Sequence, residues 1–129
     1  LIPLKNFDRL IEAIRMLQDR NVSASLDLYG DGPERHALSR KADELGIGDR
    51  VHFHGYVARW FELACDCDMF INMSDTEGFC IVVAEAMLAG LPVIATDVGG
   101  IRDYGKDGEN MLKLTVSSAG KAVRSEERR

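Results

Sequence analysis

The chain has 129 residues, 46% of them hydrophobic and 29% charged, with 16 Lys and Arg against 21 Asp and Glu. A core of this size folds without disulfides or a structural metal, and no run approaches the ~20 apolar residues that span a bilayer. The net charge of −5 argues against nucleic-acid binding, which needs clustered positive charge.

The first residues carry none of the regions of a signal peptide, so secretion is not expected. The three cysteines, Cys65, Cys67 and Cys80, fit a reducing compartment, and a cytoplasmic location is the expectation. Leu1-Ile2-Pro3 reads as the end of a strand. Asn6 is placed to cap a helix whose Phe7, Leu10, Ile11, Ile14 and Leu17 recur at helical spacing up to about Arg20. Ser25 to Tyr29 reads as a strand closed by Gly30-Asp31-Gly32-Pro33, followed by a helix from Glu34 to Leu45 that stops at Gly46.

Val51 to His54 is a second strand, Val57 to Ala64 a helix and Asp68 to Asn72 a buried strand. Cys80 to Ala89 reads as an apolar helix ended by Gly90. Pro92 to Thr96 is then a strand with its proline at the tolerated first position. A Gly99-Gly100 turn leads to a short helix, and Asn110 to Leu114 is the last strand. Strands separated by helices predict parallel crossovers and an α/β, Rossmann-like three-layer sandwich with a parallel sheet. The domain is expected over 1–116, with 117–129 a basic tail, partly helical or frayed.

In such a sheet, ligands bind outside the carboxyl ends of the strands. The richest post-strand segment runs from Ser74 to Gly90. Glu85 is the one acid in an apolar helix, which predicts a buried helix and a carboxylate in need of a donor. A vicinal diol would satisfy it. Glu77 lies eight positions earlier, and Gly78 beside it lets a backbone N–H approach a ligand. The alternative is a rim-exposed Glu85 and a Glu77 favoured only by the helix dipole. Lys5 lies where a helix dipole disfavours a cation unless an anion binds too, and a solvated loop lysine is the other reading. Gly30 and Gly32 alone indicate an ordinary β-to-α turn. His52 with His54, and Cys65 with Cys67, lack common zinc spacing, so no metal is expected.

Taken together, Glu77-Gly78-Phe79-Cys80 and the run from Glu85 through Asp97-Val98-Gly99-Gly100 resemble the E-x7-E region of retaining glycosyltransferases of the GT-B fold, family 4. Leu4-Lys5-Asn6-Phe7, Tyr29-Gly30-Asp31-Gly32-Pro33-Glu34, Val51-His52-Phe53-His54-Gly55 and Asp107-Gly108-Glu109-Asn110 extend the resemblance over nearly residues 1–114. It implies the C-terminal, donor-binding half of a GT-B enzyme. Such an enzyme binds a nucleotide sugar (a UDP-, GDP- or ADP-linked hexose) and transfers the hexosyl group to an acceptor glycan or lipid held by an N-terminal domain.

By that resemblance Glu77 meets donor-sugar hydroxyls and Glu85 the nucleotide ribose. Backbone groups of Phe79, Cys80 and Ile81 meet the sugar or diphosphate, and Lys5 is the diphosphate-binding lysine. Gly30 and Gly32 would wall the donor cleft, while His54, Gly55 and Tyr56 lie where the nucleobase is held. The family's second diphosphate cation, an arginine five positions before the lysine, would fall before Leu1. The implied enzyme uses no bound metal or other cofactor and does not bind nucleic acid. The 129 residues alone are expected to bind donor without transferring it, and peripheral membrane association of a full-length enzyme stays open. The alternatives are a nucleotide-sugar 2-epimerase of the same fold and a noncatalytic α/β nucleotide-binding module.

Overall fold

The computed structural model of the chain describes residues 1–116 and 122–124. The chain divides into two compact units, Leu1–Ala58 and Arg59–Arg129. In the first, a 3-10 turn (Pro3–Lys5) leads into α1 (Phe7–Asp19), followed by β1 (Leu26–Tyr29), α2 (Arg35–Glu44) and β2 (Val51–Gly55). β1 and β2 pair in parallel, with Leu26 opposite Val51 and Leu28 opposite Phe53. The inward stripe of α1, Ile11 and Ile14, packs with Leu28, Leu38, Ala42, Ile47, Val51 and Leu1 in one apolar core. These are the i, i+3 and alternating positions that helical and extended periodicities direct inward.

In the second unit, α3 (Trp60–Leu63) runs into a 3-10 turn (Ala64–Asp66), followed by β3 (Phe70–Asn72), α4 (Ile81–Leu88), β4 (Val93–Thr96), α5 (Ile101–Tyr104), β5 (Leu112–Val116) and β6 (Ala122–Arg124). The sheet order is β3-β4-β5-β6, parallel except for β6, which runs antiparallel to β5. Val83, Ala86, Val93, Ala95 and Ile101 are buried in this unit. Among the described residues no helix is long and apolar enough to cross a membrane.

The α/β class holds, with parallel sheets in both units flanked by helices. Four local expectations need correction. Leu1 and Ile2 form no strand; Leu1 is buried as a core side chain instead. Asn6 does stand at the helix N-cap, but at φ 53° and without a capping side-chain hydrogen bond, so the helix starts from a left-handed turn rather than from the extended backbone that side-chain capping requires. The helix expected over Val57 to Ala64 shrinks to Trp60–Leu63, with Ala64 already in the 3-10 turn that follows.

The fourth concerns α4. Ile81 is 63% and Leu88 89% exposed, while only Val83 and Ala86 are buried. The helix lies on the surface of its unit, with one i, i+3 stripe turned inward; uniform apolarity had predicted burial all round. The tail expected over 117–129 falls outside the described residues except for Ala122–Arg124, which forms a strand.

Candidate functional site

The loop from Ser74 to Cys80 joins the carboxyl end of β3 to α4, and its neighbours fasten it at several points. The backbone N–H of Ser74 donates to Asn72 Oδ1 at 2.9 Å, and Thr96 Oγ1, at the end of β4, donates to the Ser74 carbonyl at 2.6 Å. Gly100 N–H donates to the Gly78 carbonyl at 2.6 Å. Gly99 sits at φ 52° with the Glu77 carbonyl where a side chain would begin. The Gly99-Gly100 pair is thus a close-packed backing for the Glu77-Gly78-Phe79 backbone.

Cys80, at the N-cap of α4, has φ 60° and ψ 66°, a left-handed conformation that a side chain with a Cβ adopts only when its surroundings hold it there. Here Tyr104 supplies the hold. Its hydroxyl donates to the Cys80 carbonyl at 3.1 Å, and its ring meets Phe79 with centroids 5.2 Å apart. Burial, then the nearby Cys80 and Glu77 groups, push the Tyr104 phenol up to about 12, so it stays a donor throughout the neutral range. Beyond Cys80, Val83 N–H already donates to the Cys80 carbonyl at 3.1 Å, which leaves the Ile81 and Val82 amides as the first-turn donors without an intrahelical acceptor, as at any helix N-terminus.

Both carboxylates of the motif are half-buried, and each accepts a hydrogen bond from a buried side chain outside it. Asn72 Nδ2 donates to Glu77 Oε1 at 3.2 Å. Trp60 Nε1 donates to Glu85 Oε2 at 2.9 Å. Among the described residues, Glu85 Oε1 accepts no protein hydrogen bond. A carboxylate fixed at one oxygen and open at the other is oriented to accept a ligand hydroxyl. Gly78, Phe79 and Ile81 are exposed around this pair, and Cys80 is buried.

In the first unit, Lys5 is half-buried at the end of the Pro3–Lys5 turn, just before α1. Gly30 follows β1 at φ 122°, and its N–H donates to the Gly55 carbonyl at 2.7 Å, where Gly55 ends β2 at φ 73°. Gly32, at φ 157°, lies so close to the Leu1 backbone that a Cβ would collide with it. Gly30, Gly55 and His54 therefore come together at the carboxyl ends of β1 and β2. His54 Nε2 lies 2.6 Å from Asp27 Oδ1, and its ring stacks on Tyr29 at 4.6 Å and 10°. Tyr56, 82% exposed, extends past the strand end.

Among the described residues no group of three or more His, Cys, Asp or Glu side chains is arranged to hold a metal ion. Cys65, Cys67 and Cys80 form no disulfide among the described residues. Sequence reasoning missed Trp60, Asn72 and Tyr104. For Asn72 a signal existed: a carboxamide closing the apolar run Met69-Phe70-Ile71 needs a buried partner. Trp60 carried a weaker one, as the chain's single tryptophan, because a buried indole N–H generally finds an acceptor. Nothing marked Tyr104.

The sequence and the fold of the chain are both matched among known proteins. The family model described as glycosyl transferases group 1 covers residues 1–125. The lipopolysaccharide core biosynthesis glycosyltransferase LpsE of Rhizobium meliloti is 34% identical over 115 residues, which are 89% of this chain and 33% of that protein. The N-acetyl-alpha-D-glucosaminyl L-malate synthase of Bacillus anthracis is 35% identical over 114 residues, 84% of this chain and 30% of that protein. The crystal structure of Anabaena Alr3699/HepE in complex with UDP superposes with a TM-score of 0.79 at 31% identity, covering 89% of this chain and 32% of that one.

The chain belongs to the glycosyl transferases group 1 family and has the α/β fold of GT-B glycosyltransferases. It spans about a third of the length of the relatives it matches.

Proposed function

We propose that this chain is the donor-binding part of a retaining, family 4 hexosyltransferase. It binds a UDP-, GDP- or ADP-linked hexose, whose sugar passes to a glycan or lipid acceptor held elsewhere in a longer enzyme. The observation that carries the proposal is Glu85: in an otherwise apolar helix, one carboxylate oxygen is fixed by the Trp60 indole and the other accepts nothing from the described residues. That is the state of a group set to accept hydroxyls from a ribose. A mere surface acid would have no need of a buried donor.

The remaining roles follow the family motif residue by residue. Glu77 orients the donor sugar, Lys5 neutralises the leaving diphosphate, and the amides of Phe79, Cys80 and Ile81 line the start of α4. Gly30, Gly32, His54, Gly55 and Tyr56 belong to the nucleotide side. A positive side chain and oriented helix amides stabilise charge developing on the diphosphate without a bound metal. The donor is oriented before the acceptor attacks. No nucleophilic role is assigned to Glu77.

Calorimetric titration of the chain with UDP-, GDP- and ADP-hexoses tests the reading. Saturable binding is expected for one nucleotide series. Glu85→Ala should weaken it by about 1–3 kcal/mol, the loss of a hydrogen-bonded charged group. An unchanged affinity in Glu85→Ala would instead favour a noncatalytic module. Hexose transfer to an acceptor by the longer enzyme, with no epimerised free sugar, separates the proposal from a 2-epimerase.

A further inference from the structure

Asn72 ends β3 and is 8% exposed. A buried carboxamide is costly unless its donors and acceptor are all used, and here they are. Oδ1 accepts the Ser74 N–H at 2.9 Å, while Nδ2, with two hydrogens to give, reaches Glu77 Oε1 at 3.2 Å and Cys80 Sγ at 3.3 Å. One side chain therefore ties the start of the loop, the carboxylate in its middle and the left-handed residue at its end.

We infer that Asn72 is a positioning residue for Glu77, holding its carboxylate toward the donor sugar and so setting how strongly the site distinguishes a nucleotide sugar from the bare nucleoside diphosphate. The inference rests on the donor-site reading above. Its logic is a division of labour. Glu77 meets the sugar and is held by Asn72, whereas Glu85 meets the ribose and is held by a different residue, Trp60. Disturbing Asn72 should reach the sugar contact and spare the contact common to both ligands. A carboxamide suits the position chemically, because the residue must accept from a backbone N–H and donate to a carboxylate at once. Neither aspartate nor leucine does both.

The test compares NDP-hexose and NDP binding by calorimetry in Asn72→Asp, Asn72→Ser and Glu77→Gln, with thermal melts confirming that each variant is folded. Asn72→Asp retains the acceptor for Ser74 N–H but sets a second carboxylate against Glu77. At pH 7.5 it should bind NDP-hexose about tenfold or more weakly and NDP within about twofold of the parent. That loss should shrink toward pH 5, as two facing carboxylates take up a shared proton. Asn72→Ser, too short to reach Glu77, should show the selective loss without the pH dependence.

An equal loss for both ligands, or no loss for either, while Glu77→Gln selectively weakens NDP-hexose, would overturn the role of Asn72 alone. If Glu77→Gln leaves both affinities unchanged, the donor-site reading of Glu77 falls and takes this inference with it.

Discussion

The indole nitrogen of Trp60 donates to Oε2 of Glu85 at 2.9 Å, across 25 positions of sequence. Trp60 is buried, with its ring tilted against Phe70 at 5.2 Å and edge-on to Phe61 at 6.2 Å, so the donor is carried on a rigid, packed platform. Trp60→Phe keeps most of that packing and removes the N–H. Nucleotide affinity is expected to fall by about 1.5 kcal/mol, roughly tenfold, the contribution of a hydrogen bond to a charged group. The fall should be the same for NDP and NDP-hexose, since the ribose is common to both. Calorimetry with the two ligands checks it, and a loss confined to the sugar-bearing one would contradict the assignment of Glu85 to the ribose. Trp60→Ala, by contrast, empties a packed site and should cost about 3–5 kcal/mol of folding stability in a denaturant melt.

Tyr104 provides a pH signature. Its phenol is pushed up to about 12 by burial and by the Cys80 and Glu77 groups, against an ordinary value near 10 in the unfolded chain. The folded state thus favours the neutral phenol. That contribution to stability is fully present below about pH 10 and is lost as pH rises from about 10 through about 12, where the unfolded chain releases a proton that the folded chain retains. Absorbance titration at alkaline pH should show the Tyr104 tyrosinate forming late. In Tyr104→Phe that late step should vanish, along with the hydrogen bond to the left-handed Cys80. A titration unchanged by Tyr104→Phe would place the late step elsewhere.

Element identity was legible along the chain because periodicity reports which residues share a face, and the strands and helices fell close to their expected places. What was not legible had specific physical reasons. In α4 every position is apolar except Glu85, so periodicity could not tell the buried stripe of Val83 and Ala86 from the exposed Ile81 and Leu88. The glutamates themselves stood out by their charge in an apolar segment. Of their holders, Asn72 and Trp60 were marked only as polar groups in need of some partner, and Tyr104 not at all, because Trp60 and Tyr104 reach the motif from 25 and 24 positions away through the placement of α3 and α5. Likewise Asn6 was legible as a helix start, while its left-handed φ of 53° depends on the turn before it.

Gly99 and Gly90 make a matched pair for testing how tightly the motif loop is backed. Both have positive φ, 52° and 80°, but a Cβ on Gly99 would run into the Glu77 carbonyl, whereas one on Gly90 would meet nothing within 4 Å. Gly90→Ala should carry only the left-handed penalty, about 1–2 kcal/mol. Gly99→Ala adds a backbone collision and should be worse by about 2 kcal/mol or more. Urea melts of the two variants rank them. Equal stabilities would mean that the loop yields freely, and would undercut any argument that Glu77 is held in place.

Lys5 carries the final prediction. It ends the Pro3–Lys5 turn immediately before α1, where the helix dipole works against a cation unless an anion is bound. If it neutralises the donor diphosphate as proposed, Lys5→Ala should lower affinity for NDP and NDP-hexose alike by roughly tenfold, the strength of a charge-assisted hydrogen bond, and leave binding of the bare nucleoside untouched. Raising the salt concentration should weaken the parent more than the variant, since part of the parent's affinity is a charge pair of a half-buried lysine that ions still partly screen. Titrations with nucleoside, NDP and NDP-hexose at two ionic strengths separate these contributions. An equal loss for nucleoside and NDP would show that Lys5 acts on the shape of its turn and not on the phosphates.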